Sequence, residues 1–276
     1  LFRDIYSCTC FSRVPEQNKY IIPKIIHQIW LGSSFPQKYN YFRKTWIDKH
    51  PNWTYILWTD HQENLLENTR VANSLTELQE FMHDNSIRII IAHPSILCLF
   101  NQGYYNDSKN YGEKSDLLKW ELIYQLGGVY VDTDFECIKP LDVGSLALGA
   151  ALFGAVSGNE ILKDCIETIK DDRGFSEVYV RTGPVHFTKS LMRAYTKALG
   201  VNAVFPPSFF YPLGARQTNL SRSEVEALFH PESYAVHWWE GAWVEKQIIN
   251  ENGSYHKIIE KKKKEKKKNK HKIKKR

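Results

Sequence analysis

One junction constrains this chain more than any other feature: an amphipathic run stops on two glycines and restarts at once as an apolar, β-prone stretch. It reads EKSDLLKWELIYQLGGVYVDTDFECIKPL, residues 113–141. Leu117, Leu118, Leu122 and Leu126 give its first half an apolar side at helical spacing. Ser115 is the expected N-cap. Asp116 lies in the expected first turn, where the helix dipole favours an acid, and Gly127 and Gly128 are the expected stop. VYVDTDF then leaves the glycines as a strand.

Upstream, YIIPKIIHQIWLG reads as a buried strand stopped by Gly32, and WTYILWTD as a second strand ending in Asp60. Between them YNYFRKTWIDKHP places Tyr39, Phe42 and Trp46 near helical spacing until Pro51 closes it. SLTELQEFMHD reads as a further helix. The order strand, helix, strand, helix predicts an α/β fold with parallel strands.

The 276 residues are 42% hydrophobic and 13% aromatic, enough for one substantial core and too apolar for a wholly disordered protein. The formal charge of +6 conceals two regions. Residues 260–276 hold 12 Lys and Arg against 2 Glu, which leaves 25 basic and 29 acidic residues before them. That mildly acidic body argues against a nucleic-acid groove. Five scattered cysteines show neither CxxC nor zinc spacing, and give no disulfide framework. The longest apolar run, IRIIIAHPSILCLF, is broken by His93 and Pro94 and reads as core rather than as a membrane span. The chain begins at Leu1 rather than Met, so an upstream anchor or leader stays open.

The two aspartates of VYVDTDF carry the chemistry. Residues i and i+2 of a strand share a face, so Asp132 and Asp134 point the same way if the strand runs through both. Carboxylates about 4 Å apart repel by several kcal/mol at an effective dielectric near 20. A cation between them, or a proton on one, relieves this. Hard oxygen ligands open to water suit Mn2+ or Mg2+ shared with substrate phosphates. The carboxyl ends of strands in open α/β sheets are also where ligands dock. Against this, a lone D-x-D arises by chance, and acids after a strand are often plain turn residues. A phosphatase forming an aspartyl-phosphate is disfavoured, because Glu136 stands where such enzymes carry a hydroxyl.

Three segments in order, IPKIIHQIWLG, HPNWTYILWTD and KSDLLKWELIYQLGGVYVDTDFECIKPLD, resemble the sugar-transferring enzymes of glycosyltransferase family 32. This DXD-containing group includes yeast-type mannosyltransferases, and the pattern is also similar to the glucosylating domain of large clostridial toxins. The resemblance covers residues 21–145 and continues more weakly to about 250 through RTGP and HWWEGAW. It implies a GT-A-type fold, Rossmann-like with a mostly parallel sheet and flanking helices. It further implies a nucleotide-sugar donor (a UDP- or GDP-hexose), a divalent metal, and transfer with retention of configuration.

By resemblance, Trp30 stacks on the donor's base, Asp116 bonds donor sugar hydroxyls, Asp132 contacts ribose and metal, and Asp134 binds the metal directly. On the residues alone, Trp30 is equally a core tryptophan and Asp116 a helix-dipole acid. Lys119 stands where the family commonly has Arg and shares a helix face with Asp116; it lacks Arg's forked, bidentate geometry. Near the C-terminus His237 is a third metal ligand or a packed ring, and Trp243 offers an indole N–H to a phosphate. Ala242 replaces the family's serine there. Thr182, Gly183 and His186 of RTGPVHF are candidates for the acceptor side, or form a plain Gly-Pro turn.

The expected organisation is an arm over 1–20, a catalytic domain over 21–255 and a low-complexity basic tail over 256–276. The tail is either solvated or a docking element for an anionic membrane surface; nucleic acid is the less favoured partner. The acceptor is a glycan, lipid or protein. The setting is a Golgi or other endomembrane compartment in a eukaryote, and otherwise the cytoplasm or a secreted effector. The competing readings are a catalytically impaired sugar-nucleotide-binding protein and a tail-mediated membrane- or nucleic-acid-binding protein.

Overall fold

The structure is a computed structural model that describes residues 22–61, 66–141, 148–195, 204–240, 248–249 and 255–256. Its strands are β1 (Ile25–Trp30), β2 (Thr54–Thr59), β3 (Thr69–Ala72), β4 (Ile89–Ala92), β5 (Gly128–Val131), β6 (Phe135–Cys137), β7 (Leu148–Gly149), β8 (Leu152–Ala155) and β9 (Ala235–His237). The helices are α1 (Asn40–Lys49), α2 (Leu75–His83), α3 (Gln102–Asp107), α4 (Tyr111–Leu126), α5 (Glu160–Glu167), α6 (Val178–Arg181), α7 (Pro184–Tyr195), α8 (Pro207–Phe210) and α9 (Arg222–Glu226).

The main sheet has seven strands in the order β3-β4-β2-β1-β5-β8-β7. From β3 to β5 every pairing is parallel, and β8 and β7 join antiparallel. The mostly parallel, helix-flanked sheet expected from the sequence is therefore present. Buried on both faces, β1 and β2 read as nearly continuous apolar runs, as central parallel strands must. From β1 the chain steps to β2, then to the edge strand β3, fills the gap between them with β4, and returns through α3 and α4 to lay β5 on the other side of β1. That reversal makes the carboxyl ends of β1 and β5 a topological switch point, the kind of place where open α/β sheets bind ligands.

The glycine stop works as the sequence predicts. Gly127 caps α4 with its N–H on the Ile123 carbonyl, and Gly128 starts β5 with φ at 102°, a left-handed value that glycine adopts freely. A β-carbon at Gly128 would lie 2.8 Å from the Ile25 carbonyl oxygen and 2.9 Å from His27 Nε2, so α4 can enter the sheet this closely only through glycine. The helix start differs from expectation. Asn110, not Ser115, is the N-cap, its side chain accepting from the Glu113 N–H. Asp116 therefore sits in the second turn, and the dipole argument for it lapses. The extra turn is held by Glu113, which is buried and bonded by Ser108, Arg173 and Arg181.

The core under the sheet is aromatic: Trp46, Trp58 and Trp120 are fully buried. All three also bond across the fold, Trp46 Nε1 to the Phe135 carbonyl at 2.9 Å, Trp58 Nε1 to His27 Nδ1 at 3.1 Å and Trp120 Nε1 to the Thr182 carbonyl at 2.9 Å. With Nδ1 accepting, His27 donates from Nε2 to the Gly127 carbonyl at 3.0 Å, and burial lowers its pKa to about 3. It is a neutral structural histidine. The chain divides into two compact units, Leu1–Trp239 and Glu240–Arg276. In the second, Ile248–Ile249 pairs antiparallel with Tyr255–His256. No helix among the described residues is long and apolar enough to cross a membrane.

Candidate active site

Strand β5 ends at Val131, so the strand does not run through both aspartates. Asp132 extends the ladder by one bond, its N–H to the Ala151 carbonyl at 2.8 Å, and its own carbonyl then accepts from the Phe135 N–H at 3.2 Å. Asp132-Thr133-Asp134 is thus a tight turn between β5 and β6, and the alternation of a strand is not what aims the two side chains. Long-range pairing aims them instead. β6 pairs antiparallel with β9, Phe135 opposite His237, and the two rings stack with centroids 4.5 Å apart and planes 7° off parallel. The Trp238 N–H donates to the Asp134 carbonyl at 3.0 Å, so a segment a hundred residues downstream fixes the turn.

Among the described residues, Asp132, Asp134 and His237 form a cluster whose possible ligand atoms all lie within 4.8 Å of one another. His237 Nε2 lies 3.0 Å from Asp134 Oδ1. Its Nδ1 is buried and has no hydrogen-bond partner among the described residues, although the ring is packed against Phe135, Tyr211 and Trp239. Burial pushes Asp132 up to about 6; Lys119 and His237 oppose the rise and the Asp134 carboxylate adds to it. A half-buried and a buried carboxylate beside a half-satisfied imidazole make a site short of positive charge. A divalent cation of the hard, oxygen- and imidazole-accepting kind fits this donor set.

A second pair adjoins the first. Lys119 Nζ donates to Asp116 Oδ1 at 2.5 Å, one helical turn along α4, and its ammonium lies 4.7 Å from the Trp120 ring centroid and 5.3 Å from that of Tyr130. Tyr130 in turn donates to Asp132 Oδ1 at 2.5 Å. Burial, and then the charge of Asp132, raise the Tyr130 phenol far above its usual range and keep it a donor. Asp116, Lys119, Tyr130, Asp132, Asp134 and His237 thus form one continuous polar line through the end of β5. Tyr130 had not been singled out from the sequence. Its position two residues before Asp132, at the end of β5, was the available signal.

Trp30 ends β1 on the same rim, half-buried, its indole N–H on Ser33 Oγ at 3.1 Å and its ring against Phe35 and Tyr39. Next to it, the Gly32 N–H is held by Asp60 Oδ1 at 2.7 Å. Asp60, with His61, Asn73 and His93, borders a cavity of about 480 Å³ over the ends of β2, β3 and β4. With strands about 4.8 Å apart, that cavity lies roughly 10–20 Å along the rim from Asp132.

Two candidates from the late motifs stand differently. His186 does not line the cleft; it is fully buried between the Asp172 carboxylate and the Cys165 carbonyl, each at 2.8 Å. Thr182 instead bonds Asp116, and is taken up below. Trp243 lies outside the described residues. Glu136, two places after Asp134, is locked in a bidentate pair with Arg222, which accounts for an acid where a phosphatase would place a hydroxyl.

Residues 36–150 match a family described as a glycosyltransferase sugar-binding region containing a DXD motif. Inositol phosphoceramide mannosyltransferase 3 of Schizosaccharomyces pombe is 30% identical over 139 residues, 50% of this chain and 30% of that protein. Mannosyl phosphorylinositol ceramide synthase CSH1 of Saccharomyces cerevisiae is 24% identical over 232 residues, 84% of this chain and 52% of that protein. The chain therefore spans about half or less of the length of these relatives. Among solved structures, one described as PaToxG glycosyltransferase superposes with a TM-score of 0.48 at 17% identity, covering 82% of this chain and 83% of that one.

Proposed function

We propose that this protein, residues 36–150 of which match a glycosyltransferase sugar-binding region containing a DXD motif, moves a hexose from a nucleotide-sugar donor to an acceptor hydroxyl in a reaction that depends on a divalent cation. The observation that carries this reading is the convergence of Asp132, Asp134 and His237 at the carboxyl end of β5. These three residues would hold Mn2+ or Mg2+, which when bound neutralises charge on the departing nucleoside diphosphate. The rest is the work of the chain itself. Tyr130 holds Asp132 by its phenol, and the β6–β9 pair holds Asp134 against His237. Lys119 supplies a fixed positive charge beside the carboxylates, and Asp116 offers acceptor oxygens to the hydroxyls of the sugar.

Trp30 and the cavity at the ends of β2 to β4 suit the nucleoside end of the donor. The near edge of that cavity, at the end of β2, stands two strand spacings, roughly 10 Å, along the rim from Asp132. Transfer with retention of configuration belongs to the same reading, with the acceptor attacking on the face that the diphosphate leaves. The names of the two yeast relatives favour an inositol-phosphate-bearing lipid as acceptor and, with it, an endomembrane setting.

The test is donor hydrolysis and transfer by the full chain over a panel of UDP- and GDP-hexoses. Turnover is expected with Mn2+ and is abolished by chelator. Turnover indifferent to chelator would overturn the reading. Donor binding without any turnover would instead support a sugar-nucleotide-binding protein, for which Lys119 and Ala242 are the departures from the family pattern.

A further inference from the structure

The RTGP segment contributes a side chain to the site that the resemblance does not assign. Thr182 is fully buried at the end of α6. Its backbone is fixed from both sides, the N–H on the Val178 carbonyl at 3.0 Å and the carbonyl receiving Trp120 Nε1 at 2.9 Å. The residue before it, Arg181, is bonded to Glu113 at 2.9 and 3.1 Å, one helical turn ahead of Asp116 on α4. The residue after it, Gly183, comes so close that a β-carbon there would sit 2.8 Å from Tyr179 Cα and 3.2 Å from Asp116 Oδ2. The hydroxyl held in this frame lies 3.1 Å from Asp116 Oδ2 and 3.3 Å from the Val178 carbonyl. The shorter, charged acceptor takes the proton in preference.

A carboxylate accepts about four hydrogen bonds. Lys119 occupies a site on Oδ1 and Thr182 a site on Oδ2, which fixes the plane of the group and leaves a lone pair on each oxygen. We propose that Thr182 is a positioning residue for the donor sugar: with Lys119 it sets the Asp116 carboxylate so that both remaining lone pairs meet hydroxyls of the transferred hexose. The proposal rests on the reading of Asp116 as the acid that binds the sugar. Its consequence is selective. Loss of the Thr182 hydroxyl frees the carboxylate to turn, which weakens recognition of the sugar and leaves the grip on the diphosphate intact.

The experiment measures, on the full chain with Mn2+, dissociation constants for a nucleotide hexose and for the matching bare nucleoside diphosphate. Thr182→Val removes the hydroxyl at nearly constant shape, and Thr182→Ser keeps it. Thr182→Val is expected to weaken the nucleotide hexose about tenfold while the bare diphosphate stays within about twofold. Thr182→Ser is expected to bind both like the parent. Thermal melts establish that each variant is folded, and Thr182→Ala replaces Thr182→Val if the valine variant is not. The proposal is overturned if the hydroxyl-free variant binds the nucleotide hexose like the parent, or loses both ligands equally, as a purely structural role requires. If the parent itself binds neither ligand, the functional reading falls first and takes this proposal with it.

Discussion

Asp134 and Glu136 lie two residues apart, and the protein treats them in opposite ways. The Glu136 carboxylate is saturated: both Arg222 guanidinium nitrogens bond it at 2.7 and 2.8 Å, Tyr41 adds its phenol at 2.8 Å and Trp238 its indole at 3.1 Å. Asp134 meets a histidine whose second nitrogen is buried without a partner among the described residues, and a second carboxylate, Asp132. The first acid is compensated by the chain itself and ties α1, α9 and the segment after β9 to β6. The second is set among groups that gain from an added cation. On the proposed function, the difference separates an acid that builds the fold from one that is held ready for a ligand.

The largest effect separating the two acids should be on turnover. Asp134→Asn is expected to lower metal-dependent transfer by on the order of 10² to 10³. It should leave the metal-free fold at least as stable as the parent, because it removes a like charge beside Asp132. A clear drop in melting temperature without metal would place Asp134 with Glu136 as a structural acid. Glu136→Gln should do the reverse. It forfeits the charge of a buried pair at a cost of about 1–2 kcal/mol in urea unfolding, discounted because the Arg222 side chain is 46% exposed and can turn to solvent. A Glu136→Gln variant that unfolds like the parent would end the contrast from the other side.

A smaller and graded effect concerns protons. The Asp132 carboxyl titrates near 6 in the fold against 3.8 for the free side chain, so the metal-free protein keeps a proton that the unfolded chain releases. That contribution to stability is present below about pH 4 and is lost as pH rises through about 6. A cation competes with the same proton, so apparent Mn2+ affinity should fall up to about tenfold per unit as pH drops below about 6. Isothermal titration of Mn2+ between pH 5 and 8 checks this. A flat profile would mean that Asp132 does not share in holding the ion.

The parallel sheet, the glycine stop after α4 and the pairing of Asp116 with Lys119 were legible in the sequence, because each rests on local spacing. The start of α4 was not. Asn110 and Ser115 are both capable caps, and the choice was made by Arg173 and Arg181, which hold Glu113 from some sixty residues away. For His186 the sequence left two readings open, an acceptor-side residue or part of a plain Gly-Pro turn; the Asp172 carboxylate and the Cys165 carbonyl that enclose it lie 14 and 21 residues away. The Asp132–Asp134 pair was found by an argument from strand alternation that does not apply at a turn. The pair is nonetheless brought together, by β9.

By itself the sequence determined that two acids follow the end of a strand leaving a glycine-stopped helix, since residue type, helical spacing and glycine stops act over a few neighbours. Tertiary structure alone decided which of those acids are neutralised. Whether a carboxylate is given an arginine, as Glu136 is, or a histidine and another acid, as Asp134 is, depends on contacts across about a hundred residues. The electrostatic cost of a buried charge is set by what surrounds it in space, which no local pattern encodes.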